Sequence, residues 1–159
     1  GRIKVLREMY PNAKFIHIHR NTYDVFNSNI HLYNKTIRKQ FLQDFSDTEI
    51  EESVLYCYET SMAKFLDDWK EIPTGNAIQI SYKELSDKPL ETIEKIYKSI
   101  NLGNFESIKP SLENYINKEK NYKKNKFTEI RSDLLAQINK RWKFVFDEYH
   151  YSIMNSNKP

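Results

Sequence analysis

The chain has 159 residues, with 25 Lys and Arg against 22 Asp and Glu, and its net charge of +3 is too small to indicate a nucleic-acid partner. Aromatic residues make up 14%, which argues against disorder, and the single cysteine, Cys57, excludes an internal disulfide. No apolar run approaches the length of a membrane span and no signal-peptide pattern opens the chain, so we expect a cytoplasmic protein without a transmembrane segment.

The first part of the chain predicts a helix, a strand and a second helix. Apolar residues at helical spacing indicate a helix over residues 2–10, and the mostly apolar run at 14–19 indicates a strand. Asn21 or Thr22 can cap the next helix, which should extend to about residue 34.

A long amphipathic helix is predicted over residues 48–71, after an irregular stretch at 35–47. Its apolar stripe, which indicates core packing rather than a binding surface, consists of Ile50, Val54, Tyr58, Met62, Phe65 and Trp69. Cys57 lies in the same helix and is expected to be a small buried apolar residue. A second short strand is predicted at 77–81.

The later part of the chain predicts helices and one lysine-rich loop. The helices are at 89–100, 108–118 and 131–148, and the loop is at 118–126. Because strands alternate with helices, we expect a helix-rich α/β layer fold with a parallel sheet. We expect one domain over residues 1–150 and a flexible tail at 151–159.

The sharpest local signal is the corner where the first strand ends in Arg20 and a helix begins directly afterwards. A guanidinium offers a planar fork of donors, a helix start offers free N–H groups, and Ser28, about two turns into the helix, adds a hydroxyl. These groups suit a phosphate. The chain has only three glycines, Gly1, Gly75 and Gly103, so a glycine-rich phosphate loop cannot be formed from it.

The run from Pro11 to Ser28 resembles the second nucleotide-binding motif of sulfotransferases that use 3′-phosphoadenosine 5′-phosphosulfate (PAPS). That motif is an apolar strand, Arg-(Asn/Asp)-Pro-x-Asp, and a Ser eight residues after the Arg. Arg20 and Ser28 have this spacing, and Thr22 stands where the family has Pro. The resemblance implies that Arg20 and Ser28 hold the 3′-phosphate of the cofactor.

Two further segments are similar to the same family, and the resemblance extends over roughly residues 1–150. Ile78 to Leu85 looks like the family's Tyr-Glu-Asp-Leu segment, which implies that Tyr82 contacts the adenine. Lys83 replaces the family's Glu there. Lys123 and Lys124 fall where many members place a basic loop over the 3′-phosphate.

The resemblance is closest to the bacterial group of the family. It implies a P-loop-NTPase-like parallel sheet flanked by helices. It also implies the transfer of a sulfuryl group from PAPS to a hydroxyl or amine without a metal. The family's 5′-phosphosulfate loop and its catalytic base would lie upstream of residue 1, so we expect a sheet truncated at the N-terminus and a chain inactive by itself. Without the strand that carries that loop, the two predicted strands either pair directly or leave an exposed edge. The acceptor and the oligomeric state are not specified by the sequence.

Other interpretations stay open. Arg20 could form a structural ion pair with Asp24 or Glu84, and the lysine-rich loop could simply be solvated. The chain could be a non-catalytic α/β interaction module or a nucleotide-kinase-like P-loop protein.

Histidines provide weaker candidates. His17 and His19 share one face of the first strand but lack a third metal ligand at a suitable spacing, so we expect hydrogen-bonded histidines and no metal site. His31 follows Ser28 by three residues on the same side of the helix, which makes it a candidate near the site or a surface histidine.

Overall fold

In the part of the chain that the computed structural model describes, residues 2–119 and 129–155, α-helices alternate with two strands. In chain order the elements are α1 (Ile3–Met9), β1 (Phe15–His19), α2 (Thr22–Lys35), α3 (Asp47–Lys70), β2 (Ala77–Ser81), α4 (Tyr82–Asp87), α5 (Pro89–Ile100), α6 (Lys109–Glu119), α7 (Ser132–Arg141) and α8 (Lys143–Tyr149). Short 3-10 helices lie at Ile37–Gln40 and Phe105–Ser107. The helix-rich α/β prediction is confirmed.

The chain divides into two compact units, each with its own apolar core. We call them the sheet unit (Arg2–Arg20 and the described residues from Asp67 to 119) and the helical unit (Asn21–Leu66 and 129–155). The prediction of a single domain over residues 1–150 stays a prediction.

The sheet unit is built on the direct pairing of β1 with β2, which are parallel as predicted. Since residues paired across parallel strands point to the same face, the pair Ile18 and Ile80 lies on one face of the sheet. On that face Ile80 is buried against Ile96 and Ile100 of α5, an amphipathic helix that Pro89 opens at its first position. The apolar contact with α5 therefore fixes which residues of β2 face inward.

The helical unit has its core around the fully buried Trp142. The Trp142 ring packs against Phe26 of α2 and Tyr58 of α3, with ring centroids 6.0 and 4.3 Å apart, and its indole N–H donates to the Leu55 carbonyl at 3.1 Å. The predicted apolar stripe of α3 is confirmed, because all six of its residues are buried or half-buried.

Several local predictions differ from the structure. The helix predicted at 131–148 is two helices, α7 and α8, with the break at Trp142. Helix α4 was not predicted, and a single 3-10 turn interrupts the stretch predicted as irregular at 35–47.

The expectation that Cys57 is buried is wrong, because its side chain is exposed. Each residue turns a helix by about 100°. Cys57 precedes Tyr58 by one position and thus lies beside the apolar stripe rather than within it.

Residues that follow α8 are bonded to the helical unit as far as Met154. The backbone N–H of Met154 donates to the Tyr23 hydroxyl at 2.8 Å, and the Asn139 side-chain amide donates to the Met154 carbonyl at 2.8 Å. Tyr151 packs against the core of the same unit.

Candidate functional site

The strand register places Arg20 beside Tyr82. In the parallel ladder His19 pairs with Ser81, so the next residue of each chain segment leaves the sheet at the same edge. This is the edge formed by the carboxyl ends of the strands, where open α/β sheets bind their ligands. The Arg20 guanidinium carbon, Cζ, lies over the Tyr82 ring, 4.7 Å from its centroid, and both side chains are half-buried.

Ser81 fixes the direction in which the chain continues beyond β2. Its side-chain oxygen accepts a hydrogen bond from the Glu84 backbone N–H at 3.0 Å, which is an N-cap, and α4 therefore begins at Tyr82. The Glu84 carboxylate in the first turn accepts from the Lys95 ammonium at 2.9 Å. Tyr82 is thus held at a helix start that is itself bonded to α5.

His17 and His19 lie on one face of β1, with ring centroids 6.2 Å apart. His17 Nδ1 is 2.8 Å from the Gln79 side-chain oxygen on β2, and its ring lies 6.0 Å from that of Trp69. Burial lowers the pKa of His17, which the bond to Gln79 partly offsets. Burial also lowers the pKa of His19, as does repulsion by His17, whereas attraction to Glu84 raises it.

No group of three or more His, Cys, Asp and Glu side chains suited to hold a metal occurs among residues 2–119 and 129–155. The hydrogen-bonded state predicted for the two strand histidines is observed for His17. His17 and His19 are thus half-buried polar residues in the strand that ends immediately before Arg20.

The start of α2, which belongs to the helical unit, carries the other predicted ligand. Asn21 is the N-cap: its side-chain oxygen accepts from the Tyr23 backbone N–H at 3.0 Å. Ser28 is exposed on the second turn, and His31 is half-buried three residues later. The structure therefore confirms the predicted helix and leaves the roles of Ser28 and His31 as predictions.

The other predicted basic ligands, Lys123 and Lys124, lie outside the described residues. Lys118, in the last turn of α6, is described and is exposed. The function of the lysine-rich loop stays a prediction.

A separate cavity of about 870 Å³ lies within the helical unit. The residues that line it include Asp24 and Glu129. The Arg131 guanidinium also lines it, but both of its arms donate to Glu51, at 2.9 and 3.1 Å, and it is also paired with Asp133. Because Arg131 is already paired with two carboxylates, it is unfavourably placed to hold a phosphate.

Comparison with known proteins decides the family. A family profile described as "Sulfotransferase family" matches residues 1–107, which is more than half of the chain and includes Arg20, Ser28 and Tyr82. The chain belongs to the sulfotransferase family.

Two curated members of this family are similar to the chain. Both bear the name omega-hydroxy-beta-dihydromenaquinone-9 sulfotransferase, one from Mycobacterium bovis (strain ATCC BAA-935 / AF2122/97) and one from Mycobacterium tuberculosis (strain CDC 1551 / Oshkosh). Each is 32% identical over 152 residues, which cover 94% of this chain and 38% of the relative. The chain thus spans well under half the length of these sulfotransferases. No solved structure matches it.

None of the described helices combines the length and the apolar character needed to cross a membrane. Sequence reasoning identified Arg20 and Tyr82 but missed that they contact each other. It also missed the Ser81 cap, although Ser three residues before Glu at 81–84 is a capping pattern that the sequence contains.

Proposed function

We propose that this chain forms the 3′-phosphate and adenine-binding part of a PAPS-dependent sulfotransferase that moves a sulfuryl group to a hydroxyl acceptor. The single observation that supports this most strongly is the Arg20 guanidinium, held at the carboxyl edge of the parallel sheet in a chain of this family. When bound, PAPS supplies the sulfuryl group, and the residues of this chain anchor the other end of the nucleotide.

The donor set at the sheet edge fits a phosphate. Arginine is permanently charged, and its planar fork matches phosphate oxygens in a bidentate geometry. Arg20 is half-buried, so its charge is less screened than at a fully exposed position while the group still meets solvent. Ser28, eight residues later, is proposed as a hydroxyl donor to the same phosphate.

The proposal for the acceptor rests on the name of the two mycobacterial relatives, which specifies an omega-hydroxy compound. We extend to this chain only the class of acceptor group, a hydroxyl.

A protein that anchors the 3′-phosphate in this way fixes the position of the whole cofactor, which is how positioning contributes to transfer reactions.

The proposal predicts that Arg20→Ala weakens binding of adenosine 3′,5′-bisphosphate to the full chain by about 10- to 100-fold, the range expected for loss of a charge-assisted hydrogen bond of ~1.5–3 kcal/mol. Titration calorimetry measures this change. Arg7→Ala is the matched control, since it removes a half-buried arginine from α1 of the same unit and should leave the affinity unchanged. Equal affinity of the Arg20→Ala variant and the wild type would show that Arg20 is not the phosphate ligand.

A further inference from the structure

The contact between Arg20 and Tyr82 has a geometry that stabilises a cation. An arginine within about 6 Å of an aromatic ring centroid, over the ring face, is attracted by the ring quadrupole. Here the distance is 4.7 Å, and both side chains are half-buried, so the attraction is less weakened by water than at an exposed site.

The contact with the Tyr82 ring restricts the position of the Arg20 guanidinium. A free arginine side chain loses up to about 2 kcal/mol of rotamer entropy when a ligand fixes it. Tyr82 removes part of that freedom before the ligand arrives, and the Ser81 cap fixes the backbone from which its ring extends.

We infer that Tyr82 is a positioning residue that sets the preference of the site for a 3′-phosphorylated nucleotide, by holding the Arg20 guanidinium at the sheet edge. The inference rests on the proposed function. This positioning role differs from an adenine contact in which nucleotides it helps to bind. An adenine contact strengthens binding of every adenine nucleotide equally. Positioning of Arg20 strengthens binding only of a nucleotide that carries the 3′-phosphate.

Binding of two nucleotides to the full chain separates these roles. The measured quantity is the ratio of the dissociation constants of adenosine 5′-monophosphate and adenosine 3′,5′-bisphosphate, obtained by titration calorimetry. Tyr82→Leu is expected to lower this ratio about five-fold, the scale of one cation–π contact, because it weakens binding of the bisphosphate more than binding of the monophosphate. Tyr82→Phe keeps the ring face and should restore the wild-type ratio.

Two controls separate positioning from a general structural effect. Tyr97→Leu removes another half-buried ring of the sheet unit, one that packs on Phe105 at 5.7 Å, and should leave the ratio unchanged. In an Arg20→Ala background, Tyr82→Leu should have no further effect on the ratio, because the group that it positions is absent.

A readout without ligand also tests the contact. The side-chain resonances of Arg20 should carry a ring-current shift in the wild type and in Tyr82→Phe, and lose it in Tyr82→Leu. If the wild type shows no preference for the bisphosphate, the proposed function fails and this inference fails with it. If the wild type prefers the bisphosphate and Tyr82→Leu weakens both nucleotides equally, only the inference is overturned.

Discussion

Thr22 begins α2 with a fully buried side chain whose hydroxyl oxygen has no hydrogen-bond partner among the described residues. A buried hydroxyl without a partner costs free energy of folding. The related motif of the family has proline at this position, and the local geometry would accept one. Asn21 has an extended ψ of 130°, a value that suits the residue before a proline, and the first helical position tolerates the missing N–H.

Thr22→Pro is therefore expected to raise the free energy of unfolding, by about 0.5–2 kcal/mol, since it removes the buried hydroxyl and restricts the unfolded chain. Urea denaturation followed by circular dichroism measures the change. Thr22→Val is the matched variant, because it removes only the hydroxyl and should give a smaller gain. A destabilised proline variant would mean that the Thr22 backbone does not have the conformation of a first helical residue.

Single residues also mark where sequence reasoning reached its limit. The roles proposed for Arg20 and Ser28 came from the strand-to-helix corner and from the family resemblance, and the capped helix predicted after Arg20 was found. Cys57 was misplaced because periodicity defines the centre of an apolar stripe more sharply than its edges. Whether a residue at the edge of the stripe is buried depends on which elements pack against the helix, and a single sequence does not specify that packing.

At the scale of secondary-structure elements, Trp142 connects α2, α3 and the α7–α8 segment in the helical unit. Trp142 also marks the break between α7 and α8. The Val145 backbone N–H donates to the Trp142 carbonyl at 2.8 Å, so the backbone tightens to an i to i+3 bond at this residue. Residues 131–148 have a continuous helical periodicity and contain no glycine or proline near the break. The sequence therefore predicts one helix where the structure has two.

Trp142→Ala is expected to lower the free energy of unfolding by about 3–5 kcal/mol, because it leaves a cavity among the packed rings of Phe26 and Tyr58. Trp142→Phe keeps most of the apolar volume and loses the bond to the Leu55 carbonyl, so its cost should be smaller. Chemical denaturation measures both. The comparison variant, Tyr56→Ala, removes an exposed ring of α3 and should change stability by no more than about 0.5 kcal/mol. Equal effects of Trp142→Ala and Tyr56→Ala would contradict the assignment of Trp142 to the core.

At the scale of the whole molecule, stability should depend on pH through the two strand histidines. The pKa values of His17 and His19 are lowered in the folded protein from the usual value near 6.5. The unfolded chain therefore binds more protons than the folded one as the pH falls below about 6.5, and stability declines.

We expect the urea midpoint to be lower at pH 5.5 than at pH 7.5, and the difference to shrink in the double variant His17→Gln, His19→Gln. Denaturation curves at the two pH values measure this dependence. His150→Asn removes an exposed histidine at a position where asparagine tolerates the positive φ of 54°, and it should leave the pH dependence unchanged. An unchanged pH dependence in the double variant would assign it to other groups.

The candidate site is formed by residues from two segments that lie far apart in the sequence. Arg20 and Tyr82 were each singled out from their own segments, but their contact requires knowledge of how two five-residue strands align. Strands of this length carry too few residues for the sequence to specify a register, and the burial of Ile80 against α5 decides it in the folded protein.

The pairing of His19 with Ser81 has a consequence for variation among related proteins. Because the ladder aligns the two strand ends, the distance between Arg20 and Tyr82 is independent of how many residues connect them. Insertions and deletions in the loops between the strands need not disturb the pair, whereas the insertion of one residue within β2 before Ile80 would shift Tyr82 away from Arg20 and turn Ile80 to the opposite face. The contact between Arg20 and Tyr82 is thus insensitive to loop length and sensitive to a one-residue shift of the strand register.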